Sequence, residues 1–340
     1  MEGDLRTSGS PLSRSTCLMH GVLLTLATAS CSINRIAVNK LGDALAQSGT
    51  TFAADDDPQL VAEATPFSLK LIESLLATSP RHRGLLLAAA SGFTQYAYAF
   101  VQQDADRLED EDVARAADAR TRARHLYIRA RDYGLRGLET RHANFAALLR
   151  TDRTAAVAQT TVEDVPLLYW TAASFGAAIA VSKDQPALVA DQSLVEALMD
   201  RALVLDEAFG AGAIHGFLIS YELARQGAAG DPVQRARRHF ERVVSLTNGQ
   251  SAAPYVALAE GVSVSLQDRR EFESLLRQAL AVDPNLRPEW RLVNLIVQRR
   301  ARWLLARVDQ LFVDPVASPN NHPPHAALLG ASLLSLTSQR

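Results

Sequence analysis

Apolar residues recur at helical spacing along most of the chain. Within residues 192–205, Leu194, Leu198, Ala202 and Leu205 are separated by four, four and three positions, which is one face of a helix. Ala236, Phe240, Val243 and Val244 repeat the pattern within 233–246, and Phe272, Leu275, Leu276, Ala279 and Leu280 repeat it within 271–282. Turn-forming residues separate these stretches: 227–232, Thr247-Asn248-Gly249, and Asp283-Pro284. The pattern predicts helix almost throughout 59–312. It includes one long helix over 116–138, a very apolar helix over 165–181 and a last helix over 288–312. The stretch up to Thr161 shows no strong turn.

Several predicted helix ends resemble one another. The segments beginning at Arg201, Arg242 and Gln278 read RALVLDE, RVVSLTN and QALAVDP, spaced by 41 and 36 residues, and Ser74 to Pro80 reads SLLATSP. This spacing is near the 34-residue period of tetratricopeptide units, each a pair of antiparallel helices. Gly92, Gly176, Gly216 and Gly261 lie among alanines on second helices, where small side chains let paired helices approach. The expected fold is all-α: a tetratricopeptide-like helical solenoid of antiparallel helix pairs with a C-terminal capping helix. An irregular helical bundle fits the same periodicity. Composition agrees with helix, because alanine is abundant, aromatics are only 6% and β-branched clusters are scarce.

The N-terminal segment changes the picture. From Cys17 to Ala29 the chain is apolar, but it is shorter than the roughly 20 residues that span a bilayer. Arg6 and Arg14 lie upstream and small residues precede Cys31, the anatomy of an export leader. Thr28-Ala29-Ser30-Cys31 resembles a lipoprotein lipobox, with Thr where Leu is usual and with Glu2 and Asp4 in the leader. A buried helix over 17–30 is the alternative. The lipobox reading divides the chain into a leader (1–30), a polar tether (31–57), the helical body (58–313) and a Pro-rich disordered tail (314–340). Residue 32 is Ser, which suits the inner leaflet of the outer membrane. Lys+Arg 35 against Asp+Glu 37 leaves a formal charge of −2, which supplies no electrostatic footprint for nucleic acid.

Catalytic and cofactor motifs are missing from the sequence. There is no phosphate loop, no His-Glu-x-x-His, no Cys-x-x-Cys and no Gly-x-Ser-x-Gly, so no cofactor or metal is expected and the reading is non-enzymatic. Asp55-Asp56-Asp57 before Pro58 reads as a helix cap rather than a diphosphate site. Residues 109–112 read as a solvated acidic loop, and His322 and His325 as a weak metal pair. Polar and aromatic residues within apolar helices are the candidates for a ligand or partner groove: Arg131, Tyr133, Tyr169, Trp170, His215 and Tyr221. Taken singly, each reads more readily as a satisfied core residue; taken as a set, they point to a binding surface on the solenoid.

Several segments together carry a family resemblance: residues 126–139 (LYIRARDYGLRGLE), 164–183 (DVPLLYWTAASFGAAIAVSK), 201–215 (RALVLDEAFGAGAIH), His239-Phe240-Glu241 with 255–260, and 290–305. They resemble the TatT component family, tetratricopeptide lipoproteins of the tripartite ATP-independent periplasmic (TRAP) uptake systems. The resemblance implies a periplasmic protein lipid-anchored through Cys31. It also implies a homotrimer with a pore-like opening and a ligand cleft, associating with the transporter's substrate-binding protein. The expected role is a non-enzymatic accessory of solute uptake holding an apolar or organic-acid ligand. An envelope-assembly scaffold without a ligand is the alternative. Cys31→Ala is expected to leave the chain unprocessed or released from membranes. An intact Met1 in the mature protein, read by mass spectrometry, would overturn the anchoring.

Overall fold

The computed structural model describes residues 49–182 and 184–313, together with Lys40; the leader, Cys31 and the tail lie outside the described residues. Sixteen α-helices are arranged in chain order: α1 (Gly49–Ala53), α2 (Pro58–Thr78), α3 (Arg83–Tyr96), α4 (Gln103–Leu108), α5 (Val113–Glu139), α6 (Phe145–Thr151), α7 (Arg153–Ala158), α8 (Val165–Ala180), α9 (Pro186–Val189), α10 (Gln192–Leu205), α11 (Phe209–Tyr221), α12 (Pro232–Thr247), α13 (Ala253–Leu258), α14 (Arg269–Ala281), α15 (Arg291–Ala306) and α16 (Val308–Leu311). Among the described residues there is no strand. One π-helical segment, Ala97–Gln102, joins α3 to α4, and a second, Ala259–Ser263, continues α13.

Aspartates start many of these helices. Asp57 accepts from the backbone N–H groups of Gln59 and Leu60 with Pro58 at the first helical position, so the acidic run at 55–57 is a cap as expected. Asp112, Asp152, Asp231 and Asp268 cap α5, α7, α12 and α14 in the same way. The look-alike segments are true helix ends: α2, α10, α12 and α14 stop at Thr78, Leu205, Thr247 and Ala281. Asn248 terminates α12 in the left-handed conformation, φ 50°. Two expectations need correction. The stretch before Thr161 is broken twice, at the turn through Asn144 and at the Asp152 cap, and α1 forms inside the segment read as a tether.

Neighbours in sequence are neighbours in space. Helices α2 and α3 pack together, then α3 with α5, α5 with α8, and α8 with α10; α11 to α15 continue the series. The continuous helical run Arg83–Leu108 is long and apolar enough to cross a membrane, and half of its most apolar stretch is buried. One large core joins α5, α8, α10 and α11 through Leu138, Leu168, Phe175, Leu198 and Met199. A second joins α12 to α15 through Val243, Phe272, Leu276 and Leu304, and smaller clusters lie under α2 and α3. Each such side chain contributes about 1.5–3 kcal/mol by leaving water.

The helices of the central pair α5–α8 approach closely at glycines that the sequence reading passed over. A Cβ on Gly134 would run into the Thr171 hydroxyl and lie 3.2 Å from its Cα, and one on Gly137 would meet Leu167 Cδ2 at 2.5 Å. Gly92, Gly176 and Gly261 sit at contacts, as the alternation of small residues suggested, whereas Gly216 faces open space. Gly134→Ala should therefore destabilise the fold by about 1–3 kcal/mol, since backbone has to move. Gly216→Ala should stabilise it by about 0.5–1 kcal/mol. Urea denaturation of the two variants checks the pair, and equal effects would contradict the packing.

Candidate functional site

The arginines of α15 determine where the chain's two ends meet. Arg291 donates to Ala54 O at 3.0 Å and Arg299 to Ala99 O at 3.1 Å. Arg300 Nη1 donates to Asp106 at 2.7 Å, and its Nε and Nη2 hold Glu260 at 3.0 and 2.6 Å. Arg307 pairs with Asp110 at 3.2 Å. Trp303 lies between Arg300 and Arg307, with guanidinium carbons 4.9 and 4.5 Å from its ring centroid. The i, i+3, i+7 spacing of Arg300, Trp303 and Arg307 lines them up along the end of α15 and the residue that follows it, and Asp106 and Asp110 are four residues apart on the facing segment. The acidic residues at 109–111 are exposed turn residues, as expected of a solvated loop, and partners nevertheless engage Asp110 in this closure and Glu109 at Arg120, while Asp112 caps α5. Arg300 is buried enough for desolvation to oppose its charge, and Glu260 and Asp106 more than offset that, holding the guanidinium above its usual range.

Both π-helical segments converge on this closure, one carrying Tyr98 and the other Glu260. Single π turns inside helices recur at functional sites because the extra residue re-aims side chains. Tyr98 keeps 43% of its surface accessible, yet burial and the nearby Glu260 push its phenol up to about 12. Tyr127, fully buried behind it on α5, donates to Gln102 Oε1 at 2.6 Å, and burial raises its phenol too. Gln103 is buried beside the Tyr98 phenol, but neither its Nε2 nor its Oε1 makes a hydrogen bond of acceptable geometry. Tyr98, Gln103, Asp106, Glu260 and Arg300 therefore cluster where early and late helices of the described body meet.

The groove residues expected from sequence do not come together as one surface. Tyr133 donates to Glu73 Oε1 at 2.8 Å and stacks on Phe93 under α2 and α3. Arg131 pairs with Asp132 and covers the Phe175 ring at 5.0 Å. Tyr169 packs edge-on against Trp170 at 4.9 Å and against Phe209 at 5.4 Å. Tyr221 stacks on Phe217 and lies 3.3 Å from Glu196. His215 is buried, its Nδ1 2.8 Å from that of His239, and burial keeps both imidazoles below their usual range, His239 at about 4. Of the six, only Tyr169 and Trp170 touch each other in a ring contact; the others complete separate helix contacts.

A second concavity of about 320 Å³ is lined by Arg81, Glu139, Thr140, Arg141, Ala143 and Asn144. Its polar groups are already engaged: Arg81 with Thr140 O, Glu139 with Ala146 N, and Arg141 with Glu163. Among the described residues no group of three or more His, Cys, Asp or Glu side chains could hold a metal.

The fold and site define an all-helical framework whose early and late helices are joined by charge. The chain belongs to the TRAP transporter T-component family, whose model matches residues 54–312. It is also 30% identical over 307 residues to an uncharacterised protein of Treponema pallidum (strain Nichols), covering 85% of this chain and 95% of that one. Membership makes the chain an accessory component of TRAP transport, with a periplasmic or membrane-associated location. The matched region runs from just before the α2 cap to the last residues of the closure, so every group of the closure lies inside it.

The closure makes a direct prediction. Arg300→Leu should lower stability by roughly 2 kcal/mol or more, because two partly buried carboxylates lose their shared partner. The same change at exposed Arg302 should alter it by less than about 0.5 kcal/mol. Equal urea midpoints for the two variants would show that the closure does not depend on Arg300.

Proposed function

We propose that the protein is a non-enzymatic, lipid-anchored accessory of a TRAP-type uptake system that docks the periplasmic substrate-binding protein and holds a small ligand. Cys31 is the acylated residue after removal of the leader 1–30, and the following residues tether the body to the inner leaflet of the outer membrane. The body, 58–313, works as a tetratricopeptide-like solenoid of antiparallel helix pairs and assembles as a homotrimer. No cofactor, metal or nucleic acid takes part. The observation that carries this reading is the family match across nearly all the described helices. Sequential pairing of helices and close approach at small residues support the solenoid.

Trp170 is the test residue for docking. It is half-buried and held edge-on by Tyr169 at the start of α8, so its ring combines a fixed orientation with accessible surface, as interface anchors do. Trp170→Ala should weaken binding of the co-encoded substrate-binding protein about thirtyfold, or about 2 kcal/mol. If Trp170 only fills core, the same sample loses about 3 kcal/mol of stability while its folded fraction binds unchanged. Affinity and melting temperature measured together separate these results, and light scattering should report three subunits. A wild-type protein that captures no substrate-binding protein would favour an envelope scaffold instead.

A further inference from the structure

Helix α11 is shared between two apolar cores. Ile214 and Leu218 belong to the core built with α5, α8 and α10, and Ile219 belongs to the core of α12 to α15. The packing of α11 on α12 is therefore a joint between two parts of the body, and His215 and His239 face each other across it. Their Nδ1 atoms are 2.8 Å apart. At that distance one nitrogen donates and the other accepts, so the line between the rings holds one proton. With both imidazoles charged, two N–H groups would point at each other and the contact would break. Directly ahead of His215, residues 210–212 hold three successive positive φ angles, and Gly212 lies tight against Leu246 and Val243 of α12. Backbone in such a conformation persists only while the packing around it holds.

The surroundings do little to balance a doubly charged pair. His215 Nε2 lies 3.5 Å from Glu207 and His239 Nε2 lies 3.8 Å from Glu222. Both carboxylates are already engaged, Glu207 by Arg242 and Glu222 by Arg225 and Arg235. Arg242 opposes further charge on His215, and Arg238 and Arg225 oppose it on His239. Arg237 and Glu241 lie on the far side of α12 by helical spacing. Helices α8 and α13, also packed on α11, contain no charged residue. On α10, Glu196 takes the Tyr221 hydroxyl, Asp200 takes Arg225 and Arg201 takes Thr160 O; in the π-helical segment, Arg300 holds Glu260. We propose that the His215–His239 contact is an acid-sensitive joint, in which protonation of both rings parts α11 from α12 and frees the turn at 210–212. The paired rings take up at most one added proton, whereas the parted rings take up two. Acid therefore favours the parted state, beginning as the pH falls through about 6.5, the ordinary imidazole range. Burial, which holds both imidazoles low, acts in the same direction.

The test is hydrogen exchange of the full chain, read by mass spectrometry at pH 7.5 and 5.5 and corrected for the intrinsic pH dependence of the rate. The opening equilibrium of α11 and α12 should rise about tenfold or more at the lower pH, the effect of one extra proton over that window. At pH 5.5 these two helices should exchange through an opening that leaves α5 and α8 protected. His239→Asn places a carboxamide that does not titrate at the position of Nδ1, so it should keep the contact at pH 7.5 and remove most of the acid response. His215→Asn repeats the measurement from the other ring. An acid response that survives both substitutions would overturn the joint, as would a wild-type opening that does not change with pH. Loss of protection in all helices together would also overturn it, because the pair would then act only through global unfolding. If neither variant folds at pH 7.5, the wild-type comparison of α11 and α12 with α5 and α8 decides by itself.

Discussion

Arg300 lies between carboxylates that come from opposite ends of the chain: Asp106 on the fourth helix and Glu260 on the π-helical continuation of α13. A run of packed helix pairs needs only neighbour-to-neighbour contacts, so nothing in pairwise packing requires the last helix to meet the first. The meeting is made instead by polar contacts between residues about 200 apart in sequence, from Arg291 at Ala54 to Arg307 at Asp110. Bringing such distant segments together costs loop-closure entropy only once, because the intervening helices already fix the path. Arg300 therefore ties the helix that follows one π-helical segment to the other π-helical segment itself.

Charge joins helices elsewhere in the molecule too. Asp164, fully buried ahead of α8, accepts from Arg83 at 2.7 Å and from the Thr161 backbone at 2.9 Å, with His142 Nε2 at 2.9 Å. Burial alone would raise its carboxyl; those donors hold it below the usual range. Glu222, also buried, is shared by Arg225 and Arg235 at the end of α11. A buried carboxylate between two donors specifies one arrangement of its helices, since any other leaves it unpaired. The apolar cores supply most of the stabilisation, and these hubs select the register in which the helices pack.

The backbone between α10 and α12 shows what a tight connection requires. Gly210, Ala211 and Gly212 all have positive φ, at 56°, 56° and 90°. A side chain at 212 would press on Leu246 and Val243 of α12, so glycine there serves both conformation and approach. Ala211 tolerates the left-handed region at a cost of about 1–2 kcal/mol. The turn directs α11 so that Phe217 covers Gly176 on one side while Ile219 enters the core of α12 to α15 on the other.

The sequence by itself determined the helical class, most helix ends and the faces that became core, because periodicity, aspartate caps and turn residues are local signals. Leu194, Leu198, Ala202, Phe272, Leu275, Leu276 and Ala279, taken from spacing alone, are all buried. The same local reading found Glu109 to Asp112 solvent-facing without naming the partners they take, and it ranked Tyr133, His215 and Tyr221 as groove residues. Nothing local shows that Asp110 meets Arg307, that His215 faces His239, or that Gly134 admits Thr171. Tyr98, Gln103, Glu260 and Arg300 are ordinary residues on three separate stretches of sequence. Only the closed tertiary structure makes them a site, because their common property is a distance across the fold, set by packing and long-range ion pairing rather than by any spacing along the chain.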